Sequence, residues 1–170
     1  MTTKKKIILV GKAASGKDYF RSYLISKGYK TSISHTTRPM RKGEVNGLDY
    51  HYISKYNFIF KKLTFFFFEN KKFNGWYYGT SKAEVKRSEV FILTPSGINS
   101  LSDKFLKDCF IIYFDIPKDL RVKRLNKRSD SDTIDRRIKA DEIDFKHFVK
   151  YNVKVTNPNF NCEKLMLSDS

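Results

Sequence analysis

The 170-residue chain carries 34 Lys and Arg against 18 Asp and Glu, a net charge of +16, with 40% apolar and 31% charged residues. This is the size and mixture of one soluble globular domain with a core of its own. It excludes a disulfide scaffold, because Cys109 and Cys162 are the only two cysteines, and Cys109 falls in an apolar strand pattern as a buried core residue would.

Lys4 to Lys6 run straight into the first apolar segment, so no cleaved leader is expected. The longest aromatic block, Phe65 to Phe68, falls far short of the ~20 apolar residues that cross a bilayer. A reducing, cytoplasmic setting and no membrane partner are the expectation. The lysines are spread along the chain rather than gathered on one helix or tail, which sets nucleic acid aside in favour of small anionic ligands. A monomer or weak homodimer is expected.

Ile7 to Val10 is continuously apolar rather than alternating, the pattern of a buried parallel strand. Gly11-Lys-Ala-Ala-Ser-Gly16-Lys17-Asp18 follows, and a helix is predicted from about Gly16 to Lys27, stopped by Gly28. Strand, glycine-bounded loop and helix start make a cradle for phosphate. Gly11 and Gly16 allow the turn, the loop N–H groups face the anion, and Lys17 reaches the β- and γ-phosphates. Asp18 stands where a Ser or Thr ordinarily serves magnesium, and is the candidate metal ligand. The plain alternative is a glycine turn beside a sheet.

A brief strand is predicted at Tyr29 to Ile33, then an exposed Pro- and Gly-containing loop through Tyr50 and a short strand from Asp49 to Ile53. Ser54 caps a helix over Tyr56 to Lys62. Thr64 to Glu69 reads as a strand, and Phe73 to Tyr78 as a hairpin around Asn74-Gly75. This middle part lacks the βα rhythm and reads as a small antiparallel insertion. The rhythm returns with a helix at Ser81 to Ser88, a strand at Val90 to Leu93, a break at Pro95-Ser96-Gly97 and a helix from Ile98 to Leu106. A strand at Phe110 to Phe114, a helix from Asp119, a polar helix over about Ser131 to Tyr151 and a strand at Val153 to Thr156 complete a doubly covered parallel sheet.

Phosphoryl transfer needs two anionic substrates held side by side. Arg38 and Arg41, flanking Pro39, offer rigid forks for a monophosphate, and Tyr50 and Tyr78 add neutral donors. Solvated arginines of a basic protein are the plain alternative. Ser34 and Glu69 are candidates for reading a base, because a carboxylate can accept from the adjacent N1–H and N2–H2 of guanine, a donor pair that adenine lacks. Arg121, Arg124, Arg128, Arg136 and Arg137 have the spacing of a mobile lid. For Arg121 and Arg124 a solvated helix face is as good a reading, and Lys139, Asp141 and Glu142 read as ordinary helical charge pairs. His35, His51 and His147 show no metal-ligand pattern.

Ser34-His-Thr-Thr-Arg-Pro-Met-Arg-Lys-Gly-Glu-Val-Asn-Gly-Leu-Asp-Tyr50 resembles the GMP-binding signature of guanylate kinases, and Trp76-Tyr-Tyr-Gly-Thr-Ser81 resembles their second signature. The likeness covers nearly the whole chain. It implies an α/β, three-layer P-loop kinase with a central parallel sheet, a GMP-binding insertion over 34–81, a core of 1–33 and 82–170, and a helical lid near 126–145. The implied reaction is ATP plus GMP or dGMP to ADP plus GDP or dGDP, with magnesium. By the same resemblance Arg38, Arg41, Tyr50 and Tyr78 hold the GMP phosphate, and Ser34, Glu69 and Thr80 contact guanine. Lys17, Arg128 and Arg137 are catalytic, and Gly11, Lys12, Ala13, Ala14, Ser15, Gly16, Lys17, Asp18 and Asn157 bind ATP.

Two departures stand out. Lys12 to Ser15 and Asp18 alter the family's loop, although a Gly-Lys-x-x-Ser-Gly-Lys-Asp form is similar to the loop of some phosphomevalonate and phage nucleotide kinases. Lys12 is expected to offset the Asp18 charge. Thr94-Pro95-Ser96 replaces the family's Asp-Ile-Asp, so Ser96 is the residue expected at the guanine site there. The alternatives are a domain that binds without catalysing, or a kinase for another nucleoside monophosphate.

Overall fold

The computed structural model describes residues 5–73, 75–127 and 134–167. Four strands form the main sheet: β1 (Lys6–Gly11), β6 (Val90–Ile92), β7 (Cys109–Phe114) and β8 (Val153–Val155). They lie in the order β6-β1-β7-β8 and every pairing is parallel. All six residues of β7 are buried, because layers cover both sheet faces. On one face Ile8, Val10, Phe91, Ile111 and Tyr113 pack with Ile98, Phe145 and Phe148. On the other, Ile7, Leu9, Phe110, Ile112 and Phe114 meet Phe20 and Leu24 of helix α1 (Lys17–Ser26). The strand expected at Tyr29 to Ile33 contracts to one parallel bridge, Thr31 to Val90.

The insertion is a second sheet in the order β3-β2-β5-β4, built from β2 (His35–Thr36), β3 (His51–Tyr52), β4 (Phe67–Phe73) and β5 (Trp76–Ser81). Its β4–β5 and β2–β5 pairs are antiparallel as expected, while β2 and β3 run parallel. Helix α2 (Lys55–Leu63) covers its outer face through Phe58, which stacks on Phe67. Ser54 caps α2 by accepting the Asn57 N–H. Strand β4 begins three residues later than the apolar run suggests, because Thr64 closes α2 and Phe65 takes a left-handed turn (φ 52°).

A register shift between Phe67 and Glu69 sets the use of β4. Residues two apart on a strand share a face, and a bulge breaks that rule. Phe67 therefore packs on α2, while Glu69, Lys71 and Phe73 turn to the opposite side and line the cleft between the sheets.

Helix α3 (Lys82–Arg87) leads into β6. Beyond it the single helix expected over Ile98 to Leu106 is two short ones, α4 (Pro95–Asn99) and α5 (Asp103–Lys107). Pro95 supplies the preset φ of a first helical turn, the Thr94 hydroxyl accepts from Gly97 N–H, and Ser102 caps the second helix. Helices α6 (Lys118–Asn126) and α7 (Ile134–Phe145) follow β7, and α8 (Cys162–Leu167) closes the chain. Among the described residues no helix is long and apolar enough to cross a membrane.

Candidate active site

The chain leaves β1 at its carboxyl end, between strands reached by crossovers in opposite directions, which is where open parallel sheets bind ligands. Gly11 is required there: a Cβ would lie 2.6 Å from Ser15 Oγ and 2.9 Å from the Phe114 carbonyl. Gly16 turns the loop into α1 at φ 95°, and Ala14, at φ 58°, is a non-glycine residue in the left-handed region. Arg124 holds that unfavourable turn by donating from Nη1 to the Ala14 carbonyl at 3.1 Å.

The loop is braced by groups that sequence reasoning gave other roles. Asp141, on α7, is buried rather than part of a surface charge pair, and its Oδ2 accepts the Ala13 N–H at 2.8 Å. Burial raises its carboxyl above the usual range, opposed by the Ala13 N–H and by Lys17. Arg121, 2% exposed, donates to the Ile116 carbonyl and lies 3.4 Å from Asp141, so it does not sit on a solvated face, while Arg124 is partly exposed and turns to the Ala14 carbonyl. Glu142 pairs with Lys118 of α6 at 2.6 Å instead of a neighbour on its own helix. Lys12 turns to Asp115 at 3.4 Å rather than to Asp18. Lys17 reaches back to within 3.5 Å of the Lys12 carbonyl, and Asp18 is exposed at the start of α1, lining the cleft.

The facing wall comes from the insertion. Arg38, 6% exposed, sends Nη2 to both Glu44 oxygens at 2.8 and 3.0 Å and lies over the rings of Tyr50 and Tyr52. Glu44 also accepts the Arg41 N–H at 2.7 Å and the Tyr52 hydroxyl at 2.6 Å. Burial alone would raise the Glu44 carboxyl, but Arg38 and Tyr52 hold it below the usual range. The same carboxylate holds the Arg38 guanidinium charged, although burial works against it. Glu44 thus fixes both arginines, a role that sequence reasoning missed although it lies in the same motif.

Glu69 is 7% exposed and accepts from Thr80 twice, from N–H at 3.0 Å and from the hydroxyl at 2.7 Å. Ser34 Oγ lies 3.3 Å from Thr80 Oγ1. Burial raises the Glu69 carboxyl, with Thr80 and Lys71 pulling it back. Ser96 turns its hydroxyl to Asp144 of α7. The cleft lining brings together Gly11, Ala13, Ala14, Lys17, Asp18, Ser34, Arg38, Arg41, Tyr50, Glu69, Tyr78 and Arg137 from both walls. Asn157 is not among the cleft-lining residues; it immediately precedes the Pro158–Phe160 segment that shares a hollow with Gly16 and Arg124. Arg128 lies outside the described residues. Among the described residues no group of three or more His, Cys, Asp or Glu is placed to hold a metal ion.

A phosphate loop at the tip of a central parallel strand, faced by an inserted sheet carrying arginines and tyrosines, defines a P-loop kinase fold of the nucleoside-monophosphate type. The family model for guanylate kinase matches residues 3–167. A guanylate kinase of Bartonella henselae is 31% identical over 165 residues, covering 91% of this chain and 74% of that protein. One from Wolinella succinogenes is 29% identical over 174 residues, covering 95% and 81%. The crystal structure of guanylate kinase from Anaplasma phagocytophilum shares the fold, with a TM-score of 0.67 at 19% identity over 96% of this chain and 81% of that one. The chain belongs to the guanylate kinase family.

Proposed function

We propose that the protein moves the γ-phosphoryl group of ATP to GMP or dGMP, yielding ADP with GDP or dGDP. The observation that carries this reading is the Glu69 carboxylate on the same wall as Arg38, Arg41, Tyr50 and Tyr78, across a cleft from the phosphate loop. A buried carboxylate accepts guanine N1–H and N2–H2 together and leaves adenine without a match. Arg38 and Arg41 neutralise the monophosphate, and the two tyrosine hydroxyls complete its shell. Lys17 and the loop N–H groups hold the donor phosphates, and Arg137, which lines the same cleft, meets charge on the transferring group in this reading. The attacking atom is an oxygen of the acceptor phosphate, already anionic at neutral pH, so positioning and charge neutralisation suffice without a general base.

Magnesium favours one or two carboxylates together with substrate phosphates, and Asp18, an exposed carboxylate beside Lys17 on the cleft, fits that demand. Bound there, the metal would neutralise charge on the phosphoryl oxygens. Replacing Asp18 with Ala is expected to raise the magnesium concentration for half-maximal rate on the order of tenfold. Unchanged dependence in both D18A and D18S would remove Asp18 from the metal site.

One observation favours a second reading, nucleotide binding without catalysis: the Ala13 N–H is already taken by Asp141. An ADP-release assay with ATP and each of GMP, dGMP, AMP, CMP, UMP and dTMP separates the two. Turnover of the guanine substrates alone supports the kinase reading. Binding of GMP with no turnover of any substrate supports the other.

A further inference from the structure

We propose that the outward face of α2 docks on the surface of an anionic lipid bilayer. Tyr56, Phe60, Leu63 and Phe65 enter the interface, and the neighbouring lysines meet acidic headgroups. Such a contact needs no spanning segment, and it departs from the expectation above that the chain has no membrane partner. It stands apart from the chemistry of the cleft, which lies on the other side of β4: Phe67 packs on α2 while Glu69 and Lys71 line the cleft.

Helix α2 presents apolar side chains in two opposite directions. Phe58 turns inward, buried against Phe67 and Tyr77 of the inserted sheet. At ~100° per residue, Tyr56, Phe60 and Leu63 fall within about 60° of one another, on the side opposite Phe58. These three, and Phe65 just beyond the helix, are 67–89% exposed. Single exposed apolar residues are ordinary, but a row of them on a helix whose core side is already filled marks a contact face. Phe65 adds a backbone argument. Its N–H donates to the Lys62 carbonyl at 3.2 Å and the Phe66 N–H to the Lys61 carbonyl at 3.0 Å, the paired bonds that end a helix on a left-handed residue. Glycine is usual at that position, whereas Phe65 holds φ 52° with its ring in solvent, so packing does little to offset the strain.

Charge selects the occupant. Residues 50–68 include Lys55, Lys61 and Lys62 and no Asp or Glu. Lys55 and Lys72 share a hollow beside the first turn of α2, and Lys61 and Lys62 lie in its last turn, with the Lys61 ammonium 4.0 Å from the Phe66 ring centre. Lysine stems lie along apolar surface in this way and hold their charge at its rim. A second copy packed face to face would set these lysines against their equivalents, on two molecules each of net charge +16. Side chains this exposed form a convex ridge. A rigid acidic protein would need a matching trough to cover it, whereas a fluid bilayer closes around it. Aromatic rings bordered by lysines are also the composition of helices that lie in the headgroup region.

Co-sedimentation of the full chain with vesicles tests this, using phosphatidylcholine alone and phosphatidylcholine with roughly 30% phosphatidylserine. Wild type should sediment with the mixed vesicles and far less with the neutral ones. Any protein this basic is drawn to acidic headgroups, so dependence on the apolar row decides the matter. F60S/L63S, which keeps the charge, should weaken partitioning about 30-fold, and K61Q/K62Q about tenfold. F65G should weaken it about fivefold while raising the melting temperature, because glycine relieves the left-handed strain. Wild type that stays in solution with the mixed vesicles overturns the proposal. So does partitioning that F60S/L63S and F65G leave unchanged, which is charge attraction alone. Weaker binding by F65G together with a lower melting temperature also counts against it, since the ring would then serve the fold. A wild-type dimer that F60S/L63S breaks, with no vesicle binding, assigns the face to a second copy instead.

Discussion

The two walls of the cleft are built on opposite plans. On the insertion wall, residues close in sequence hold each other: Glu44 grips Arg38 and the Arg41 backbone from six and three positions away. On the loop wall, the groups that hold the phosphate cradle come from far along the chain, Asp141 from 128 residues away and Arg124 from 110. On the proposed function a monophosphate would meet a preassembled set of donors, and a triphosphate would meet a loop whose shape depends on α6 and α7 being docked. Damage on the first wall should remain confined to one substrate, whereas damage on the second should spread to the reaction itself.

The largest expected effect is on the loop wall. Lys17→Met should lower kcat on the order of 10³-fold, because it removes a preorganised cation from the phosphoryl path. A loss below tenfold would mean that Lys17 is not the phosphate-loop cation. On the insertion wall, Glu69→Gln should lower kcat/KM for GMP about 100-fold, with KM for ATP within about twofold of wild type.

That same variant tests the electrical cost of the wall. Burial raises the Glu69 carboxyl, so the folded state binds this proton more tightly than the unfolded chain does. The associated stability is fully present below the ordinary carboxylate range and is lost as pH rises through the raised value. Glu69→Gln should therefore be more stable than wild type at pH 7 by about 1 kcal/mol, with the gain vanishing near pH 4. A melting temperature at pH 7 equal to or below that of wild type would contradict this account.

The smallest kinetic effect concerns the balance inside the insertion wall. Glu44→Gln leaves Arg38, 6% exposed, without its carboxylate. It should cost about 2 kcal/mol of stability, seen in denaturant unfolding, and raise KM for GMP about fivefold with ATP unaffected. If KM for ATP rose by the same factor, the two walls would not be independent in the way the contacts suggest.

Much of this molecule is written locally. The continuous apolar runs of β1 and β7 dictate strands covered on both faces, and Gly11 and Gly16 dictate the loop between β1 and α1. Ser54 and Ser81 mark helix starts that the structure places within one residue. The arginine-rich motif is equally local, because Arg38, Arg41 and Tyr50 are brought together by one loop. Even its keystone, Glu44, was within reach, since a carboxylate three residues past Arg41 and six past Arg38 invites pairing.

Other features have no signature in a linear pattern. The bulge that sends Glu69 and Lys71 to the cleft while Phe67 faces α2 is invisible to a two-residue period, and it appears only once β4 is paired with β5. Pro95 reads as a breaker in sequence, yet becomes the first residue of α4 because Thr94 caps it. Asp141 has the surroundings of a surface helix residue until α7 docks on the loop and buries it against Ala13 and Arg121. Lys71, Asp144 and Ser96 meet across separations of 73 and 48 residues. Short-range chemistry alone determined the sheet, the phosphate loop and the arginine group. Which buried charges answer one another was decided by tertiary packing, because a buried charge takes whichever partner the fold delivers and sequence spacing does not encode that delivery.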